Sequence, residues 1–279
     1  MHAVATSSQL DDFVDLLAGG AVLALTGAGI STESGIPDYR GPDGKRRVQP
    51  MQYAEFVGSS EARQRYWARS YVGWQRFSTA GPNEGHRAVA ALQRAGLVGS
   101  VITQNVDGLH QAGGSVDVTE LHGALARVVC LTCGDRTSRM DLDERMRQGN
   151  PGYRVTSDEI RPDGDIALNA LQVQDFVVPL CLVCGRDTLK PDVVFFGESV
   201  PKTLVERCFQ LTEQARALLV LGSSLKVMSG YRFVRRAAAH GIPVAIITRG
   251  PTRGDAEATH QLDAPLGVTL SELVSRLAA

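Results

Sequence analysis

The chain has 279 residues, a formal net charge of −1 and 43% hydrophobic residues. That length admits one large domain, or a large domain carrying a smaller one, and the near-neutral charge argues against a broad nucleic-acid-binding face. No stretch reaches the apolar length of a membrane span and the first residues show no signal-peptide pattern, so a soluble, intracellular protein is expected.

Residues 8 to 18 read as a helix, with Leu10, Phe13, Val14 and Leu17 on one face. The apolar run Ala21 to Leu25 follows as a buried strand. It breaks at Gly27 and Gly29, where a chain without Cβ atoms turns tightly and approaches a phosphate closely. Ser31, Thr32, Glu33 and Ser34 supply N-cap and first-turn residues for a short helix, whose free N–H groups and dipole suit an anion. This is the physics of a dinucleotide site, yet the third glycine arrives only at Gly35, too late for the ordinary Gly-x-Gly-x-x-Gly fingerprint. The tail Pro37-Asp-Tyr-Arg40 favours a site over a plain turn, which needs no arginine two residues after an aspartate.

From Asp43 to about Pro82 the pattern is helical, aromatic and arginine-rich, with Tyr53, Phe56, Tyr66, Trp67, Tyr71, Trp74 and Phe77. A small helical subdomain with an aromatic core is the favoured reading, and a lid lining an apolar groove the alternative. Pro82-Asn-Glu-Gly-His86 opens another helix. The strand Val98 to Thr103 then runs into Gln104-Asn-Val-Asp107-Gly-Leu-His110. Open α/β sheets place ligand contacts at the carboxyl ends of buried strands, so Gln104, Asn105 and Asp107 together favour a site over mere helix caps. Glu120-Leu-His122-Gly123 is another strand end. On chemistry alone His122 is either a structural residue or a general base, and His110 is the weaker candidate.

Five cysteines fall as Cys130-x-x-Cys133, Cys181-x-x-Cys184 and Cys208. Two such pairs, each followed by glycine, read as one tetrahedral structural zinc site in preference to buried thiols or a redox pair. Cys208 lies on a helical pattern as a core residue. The zinc module spans Arg127 to Asp187, and its polar middle, Arg147 to Asp165, reads as a loop or hairpin on the outer edge without chemistry. Val193 to Phe196 is read as a strand whose end, Phe196-Gly197-Glu198, exposes backbone able to accept a peptide as an added strand. Next come a helix over 201 to 214, a buried strand Ala217 to Leu221 and a small-residue turn Gly222-Ser-Ser224. A helix over 230 to 239, a strand Val244 to Ile247, a turn at Gly250-Pro251 and a last helix from about Ser271 complete the chain. Strands alternating with helices give an α/β fold with a doubly wound parallel sheet.

The ordered set Gly27-Ala-Gly-Ile-Ser, Pro37-Asp-Tyr-Arg, Gln104-Asn-Val-Asp, Leu121-His-Gly, the four cysteines, Lys190-Pro-x-Val-Val-Phe-Phe-Gly-Glu198 and Gly222-Ser-Ser-Leu225 resembles the sirtuins, NAD-dependent protein deacylases, across nearly the whole chain. The wording Ser-Thr-Glu-Ser-Gly-Ile-Pro-Asp-Tyr-Arg, with Tyr66-Trp-Ala-Arg and Val72-Gly-Trp74, is most similar to the branch that holds the mitochondrial sirtuin 4 and its bacterial relatives (class II).

The resemblance implies a Rossmann-type large domain over residues 1–45, 85–126 and 188–279. It implies a small domain made of a helical insert, 46–84, and the zinc-binding module, 127–187. NAD, as co-substrate, and acyl-lysine would enter a cleft between them. Gly27, Ala28, Gly29, Glu33, Ile36, Pro37, Asp38, Tyr39 and Arg40 would cradle the pyrophosphate and flank the nicotinamide, with Ile36 and Asp38 near the carboxamide and Tyr39 excluding water. Gln104 would touch the ribose, while Asn105 and Asp107 would hold the nicotinamide and act in catalysis. Gly222, Ser223 and Ser224 would bind the adenosine half, as would Thr248, Arg249 and Gly250, with Leu266 near the adenine. His122 would be the general base. The peptide would pair with Gly197, Glu198 and a segment near Gly230, and the acyl chain would pass Val106, Val194 and Phe196.

The sequence departs from many relatives at Thr248, which replaces an asparagine, at Leu266, which replaces a cysteine, and at Lys226-Val-Met-Ser229, where a proline is common. Tyr66 and Arg69 have a Tyr-x-x-Arg spacing that reads acidic acyl groups in one sirtuin branch, but they do not align with those positions and are read as packing residues. The implied reaction attacks ribose C1′ with the acyl oxygen as nicotinamide leaves, giving free lysine and O-acyl-ADP-ribose. Mono-ADP-ribosyl transfer to protein, deacylation of longer or lipoyl-like groups, an idle NAD or zinc scaffold and an ordinary dehydrogenase are the competing readings. The expected partners are acyl-lysine proteins, with no nucleic acid and no membrane, and the oligomeric state is left open. Arginine far outnumbers lysine, a coding bias of GC-rich bacterial genomes, so the expected location is a bacterial cytoplasm.

Overall fold

A computed structural model describes residues 7–40, 45–46 and 49–278. They fall into two compact units. The larger takes in the described residues within Met1–Arg47, Gly81–Leu121 and Val200–Ala279, the smaller those within Val48–Ala80 and His122–Ser199. In chain order the strands are β1 (Val22–Thr26), β2 (Val98–Thr103), β3 (Val118–Glu120), β4 (Gly123–Cys130), β5 (Arg136–Ser138), β6 (Leu189–Val193), β7 (Ala217–Leu221), β8 (Val244–Thr248) and β9 (His260–Asp263).

The larger unit holds a parallel sheet ordered β3-β2-β1-β7-β8-β9. Within this unit the order is that of a dinucleotide-binding double wind, reversing direction at β1. β1 and β7 are buried throughout because helices cover both faces. Alternate side chains divide between those faces. Val22, Ala24, Leu219 and Leu221 pack with Phe13, Leu17, Val89, Leu92, Leu270 and Leu273. Leu23, Leu25, Leu218 and Val220 pack with Cys208, Phe233, Val234 and Ala237. Each of these large apolar side chains contributes on the order of 2 kcal/mol by leaving water.

Three local features of this unit differ from the sequence reading. The short helix after β1 is a 3-10 helix over Ala28–Ser34, so its N-cap is Gly27 and not Ser31. The last helix begins at Leu266, because the Glu33 carboxylate accepts the Gly267 N–H at 3.2 Å and supplies a cap from far away in sequence. β9 has no clear apolar alternation, and only its ladder with β8 makes it a strand.

The smaller unit combines an antiparallel sheet, β5-β4-β6, with helices Tyr53–Gly58, Ser60–Phe77 and Arg139–Gly149. The aromatic insert is a core: Phe56, Tyr66, Trp67, Tyr71 and Phe77 are buried, and Phe56, Tyr66 and Phe195 meet ring to ring at 5.1–5.3 Å. The start of that helical pattern at Asp43 lies outside the described residues. Arg63 donates to the Asp187 carboxylate at 2.7 Å and to its carbonyl at 2.9 Å, and Trp67 Nε1 donates to the Leu189 carbonyl at 2.8 Å, tying the long helix to the sheet.

The strand expected at Val193 to Phe196 lies earlier, at Leu189–Val193. Pro191 is tolerated there because β6 is an edge strand of its sheet. β4 and β6 pair within the smaller unit, in its stretch His122–Ser199. The polar stretch Arg147 to Asp165 is neither all loop nor all outside. Its first residues end the helix Arg139–Gly149, and Asp165 at its end is 2% exposed.

Asp165 pairs with Arg69 at 2.6 Å. Burial nevertheless pushes its carboxyl up to about 7, working against the Arg69 attraction and with repulsion from Asp163. An unfolded aspartate releases its proton near pH 4, roughly. Between those values the native state holds a proton that the unfolded chain has lost, so this contribution to stability falls as pH rises. Asp165→Asn is therefore expected to flatten the fall of Tm from about pH 4 to about pH 7 relative to wild type. Parallel Tm curves would mean that Arg69 keeps Asp165 ionised throughout.

Candidate functional site

The carboxyl ends of β1, β2, β7 and β8 lie side by side in the larger unit, and most of the predicted cofactor residues follow them directly. Hydrogen bonds continue the ladder past the strand ends: Gly27 N donates to Leu221 O at 3.0 Å, Gly29 N to Gly222 O at 2.8 Å and Gly222 N to Ile247 O at 2.9 Å. Gly222 has φ +61°, and a Cβ there would lie 2.5 Å from the Ile30 nitrogen. The two turns are thus packed backbone on backbone, with the Ser223 and Leu266 side chains against them, and glycine is the residue that permits so close an approach. Ala28 is half-buried in the first turn, and Ser223 and Ser224 follow Gly222 in the second.

Gln104 crosses that seam, its Nε2 donating to Ser223 Oγ at 2.8 Å and to Thr26 O at 3.3 Å. Asn105 Nδ2 donates to Ser31 Oγ at 3.0 Å, and Ser31 Oγ donates in turn to Asp107 Oδ2 at 2.7 Å. The other Asp107 oxygen accepts the Leu109 N–H at 2.9 Å. Burial raises the Asp107 carboxyl above its usual range, opposed by the Leu109 N–H and Ser31 hydroxyl. Ser31 was not singled out from the sequence as a site residue, although it is the atom-for-atom link between Asn105 and Asp107. Its place in Gly27-Ala-Gly-Ile-Ser was the available signal.

Ile36 is buried, and Pro37, Asp38, Tyr39 and Arg40 follow it half-buried, with Arg40 bridged to Arg46. Glu33 is committed to the Gly267 cap, and Leu266 packs into the core with its Cδ1 against Gly222. Thr248 ends β8, with Arg249 and Gly250 after it, and Val106 lies between Asn105 and Asp107. His110 is a core histidine: Nε2 meets Thr26 Oγ1 at 2.9 Å and burial pushes its pKa down to about 4. It stays neutral and buried.

In the smaller unit His122 directly precedes β4, half-buried, and its carbonyl accepts the Val194 N–H at 2.8 Å. The extended segment after β6 is less open than its sequence suggests. Phe196 O accepts the Tyr53 N–H at 2.8 Å, Glu198 N donates to Phe195 O at 3.0 Å, and Phe195 N donates to the Glu198 carboxylate at 2.8 Å. The expectation of an unpaired edge is corrected to one whose backbone is partly satisfied within its own unit.

The four thiols of Cys130, Cys133, Cys181 and Cys184 lie within 4.8 Å of one another. Cys130 and Cys184 sulfurs are 3.5 Å apart, and those of Cys133 and Cys181 are 3.7 Å apart. Tetrahedral Zn–S bonds of about 2.3 Å would separate sulfurs by roughly 3.8 Å, so the donors fit one zinc ion. The two knuckles are alike: Cys130 N bonds Asp135 O and Gly134 N bonds Cys130 O, while Cys181 N bonds Arg186 O and Gly185 N bonds Cys181 O.

The Sir2 family profile matches residues 27–229. The chain belongs to the Sir2 family. It is 55% identical, over 97% of this chain and 91% of the relative, to the NAD-dependent protein deacetylase 1 of Streptomyces coelicolor. It is 46% identical to the human NAD-dependent protein lipoamidase sirtuin-4, mitochondrial, covering 94% of this chain and 84% of that one. Among solved structures, a Sir2–p53 peptide–NAD+ complex aligns with a TM-score of 0.76 and 30% identity over 96% of this chain and 98% of that chain.

For a Sir2 protein with four thiolate donors and no further ligand position, the metal is structural. Loss of a donor is expected to unfold the zinc module before it alters chemistry. Metal analysis is expected to find one zinc per chain in wild type and a large deficit in Cys130→Ser, with a lowered Tm. Full zinc in the variant, or none in freshly purified wild type, would refute the site. Among the described residues no helix is long and apolar enough to cross a membrane.

Proposed function

We propose that this Sir2 protein is an NAD-dependent protein lysine deacylase of the deacetylase type, transferring the acyl group of a modified lysine to ADP-ribose with release of nicotinamide. The observation that carries the reading is the Gln104–Ser223 and Asn105–Ser31–Asp107 network at the carboxyl ends of β1, β2 and β7, in a chain 55% identical to a protein named as a deacetylase. When bound, NAD supplies an activated ribose carbon from which nicotinamide can depart.

The residues divide the remaining work. The Gly27–Gly29 turn and Gly222 offer main-chain N–H groups and space to the pyrophosphate, and Ser223 with Ser224 holds the adenosine half. Ser31 fixes Asn105 and Asp107 so that the amide and carboxylate face a carboxamide in one orientation, which lowers the entropy cost of reaching the reactive geometry. Asp38 and Ile36 flank that carboxamide, and Tyr39 excludes water from the developing cation. His122 takes the proton from a ribose hydroxyl. Val106, Val194 and Phe196 offer apolar surface to the acyl chain, while Gly197 and Glu198 give main-chain groups to the peptide. The substrates are acyl-lysine proteins, met in a bacterial cytoplasm.

Nicotinamide release from NAD is expected to depend on added acyl-lysine peptide, with O-acyl-ADP-ribose as co-product. His122→Ala is expected to lower kcat by about a hundredfold or more, the usual weight of a general base. A peptide panel carrying acetyl, longer apolar and lipoyl groups ranks the acyl preference, lipoyl being included because the human relative is named a lipoamidase. NAD turnover that labels protein with ADP-ribose and forms no O-acyl-ADP-ribose would replace deacylation by ADP-ribosyl transfer.

A further inference from the structure

Lys190 has no role in the chemistry above, yet it is 3% exposed, an unusual place for an ammonium group. Its Nζ lies 3.0 Å from Glu198 Oε2 and donates to the Val193 carbonyl. The ring of Phe195 sits 4.7 Å from the same nitrogen. Glu198 Oε2 also accepts the Phe195 N–H at 2.8 Å, and Glu198 N donates to Phe195 O at 3.0 Å. One glutamate therefore closes the 195–198 turn twice, by main chain and by side chain, and one buried lysine holds that glutamate in place.

The neighbouring bonds fix the rest of the segment. Val194 N donates to His122 O, and Phe196 O accepts from Tyr53 N, each at 2.8 Å. Phe195 packs its ring against Phe56 and Tyr66 at 5.1 and 5.2 Å. A buried ion pair adds little net stability over an apolar pair of similar volume, because desolvation offsets the attraction. What it does supply is a directional constraint, and here that constraint falls on a segment already tied at both flanks.

We propose that Lys190 and Glu198 form a brace that sets the backbone edge of residues 194–198, making both positioning residues for the acyl-peptide and not for NAD. The Glu198 side chain then faces inward, and only its main chain serves the peptide. This rests on the deacylase reading, which supplies the peptide, whereas the brace itself is a property of the smaller unit.

The test uses the full chain with Lys190→Met, Glu198→Ala and the double variant. Amide hydrogen exchange over residues 194–198 reports the brace without reference to activity. Steady-state kinetics report peptide KM, NAD KM and kcat. Each single variant is expected to speed exchange in this segment tenfold or more and to raise peptide KM about tenfold, with kcat changing less and NAD KM within about twofold, the signature of lost substrate positioning. The double variant is expected to be no worse than Glu198→Ala, since Lys190 acts on the 195–198 turn through Glu198. Unchanged exchange in the variants, additive losses in the double variant, or NAD KM rising with peptide KM would overturn the proposal. Should Lys190→Met fail to fold, Glu198→Ala, whose side chain is partly exposed, decides the matter by the same readouts. A wild type that turns over no acyl-peptide would overturn the deacylase reading and with it the substrate role, while the exchange rates would still say whether the brace exists.

Discussion

The hydrogen bond from Gly29 N to Gly222 O is the contact on which the larger unit's functional edge depends. It joins the turn after β1 to the turn after β7, the two central strands, at a separation that leaves no room for a Cβ on either glycine. Because the turns meet through backbone, the strand ladder is prolonged beyond the sheet by Gly222 N to Ile247 O on one side and Gln104 N to Thr26 O on the other. Polar side chains emerging just after those bonds are therefore held in fixed register. A one-residue slip of β2 would send Asn105 and Asp107 to opposite sides of where they now stand, and Ser31 could then link neither.

The smaller unit reaches order by another route. Among its described residues three cations are buried: Arg63, Arg139 and Lys190. Each bonds at least one carbonyl as well as a carboxylate, although Arg139 Nε is buried without a partner. Arg63 bonds Asp187 and the Phe56 and Val57 carbonyls, and Arg139 bonds Ser70 and Asp143 while lying over Trp67 and Trp74. Such groups are costly to bury, so the acceptors that do answer them favour one arrangement of loops around the long helix where apolar contacts would tolerate several. Asp187 sits three residues after Cys184, so the arginine clamp and the second zinc knuckle constrain one short stretch of chain together.

These two routes explain what the sequence disclosed. β1 and β7 were legible as unbroken apolar runs because helices cover both faces of a parallel sheet. The cysteine pairs were legible because metal geometry demands that spacing. β6 was misplaced by four residues: Lys190, Pro191 and Asp192 hide a strand, and the apolar run Val193 to Phe196 imitates one. The strand forms because it is an edge that tolerates proline and because the lysine's charge is answered by Glu198, a pairing that strand periodicity does not show. The last helix was read five residues late for the same kind of reason, its cap being Glu33. The family motifs name the proposed site residues, while the Ser31 bond to Asp107 joins positions 76 residues apart.

The same dependence on distant partners bears on acyl recognition. Tyr66 and Arg69 have the spacing of an acid-reading pair, but spacing says nothing about what already occupies the guanidinium. In the folded chain Arg69 pairs with Asp165 and donates to the Ile166 carbonyl, and Tyr66 is buried among Phe56, Trp67 and Phe195. Turning Arg69 toward a carboxylate ligand would remove the attraction that opposes burial at Asp165, so a carboxyl already raised to about 7 would be pushed further up and any remaining charge on it left unpaired. The arginine is held by that cost. A Tyr-x-x-Arg motif becomes a reader of acidic groups only where no internal carboxylate competes for it, and here the competitor lies in the polar stretch that the sequence presented as an idle outer loop.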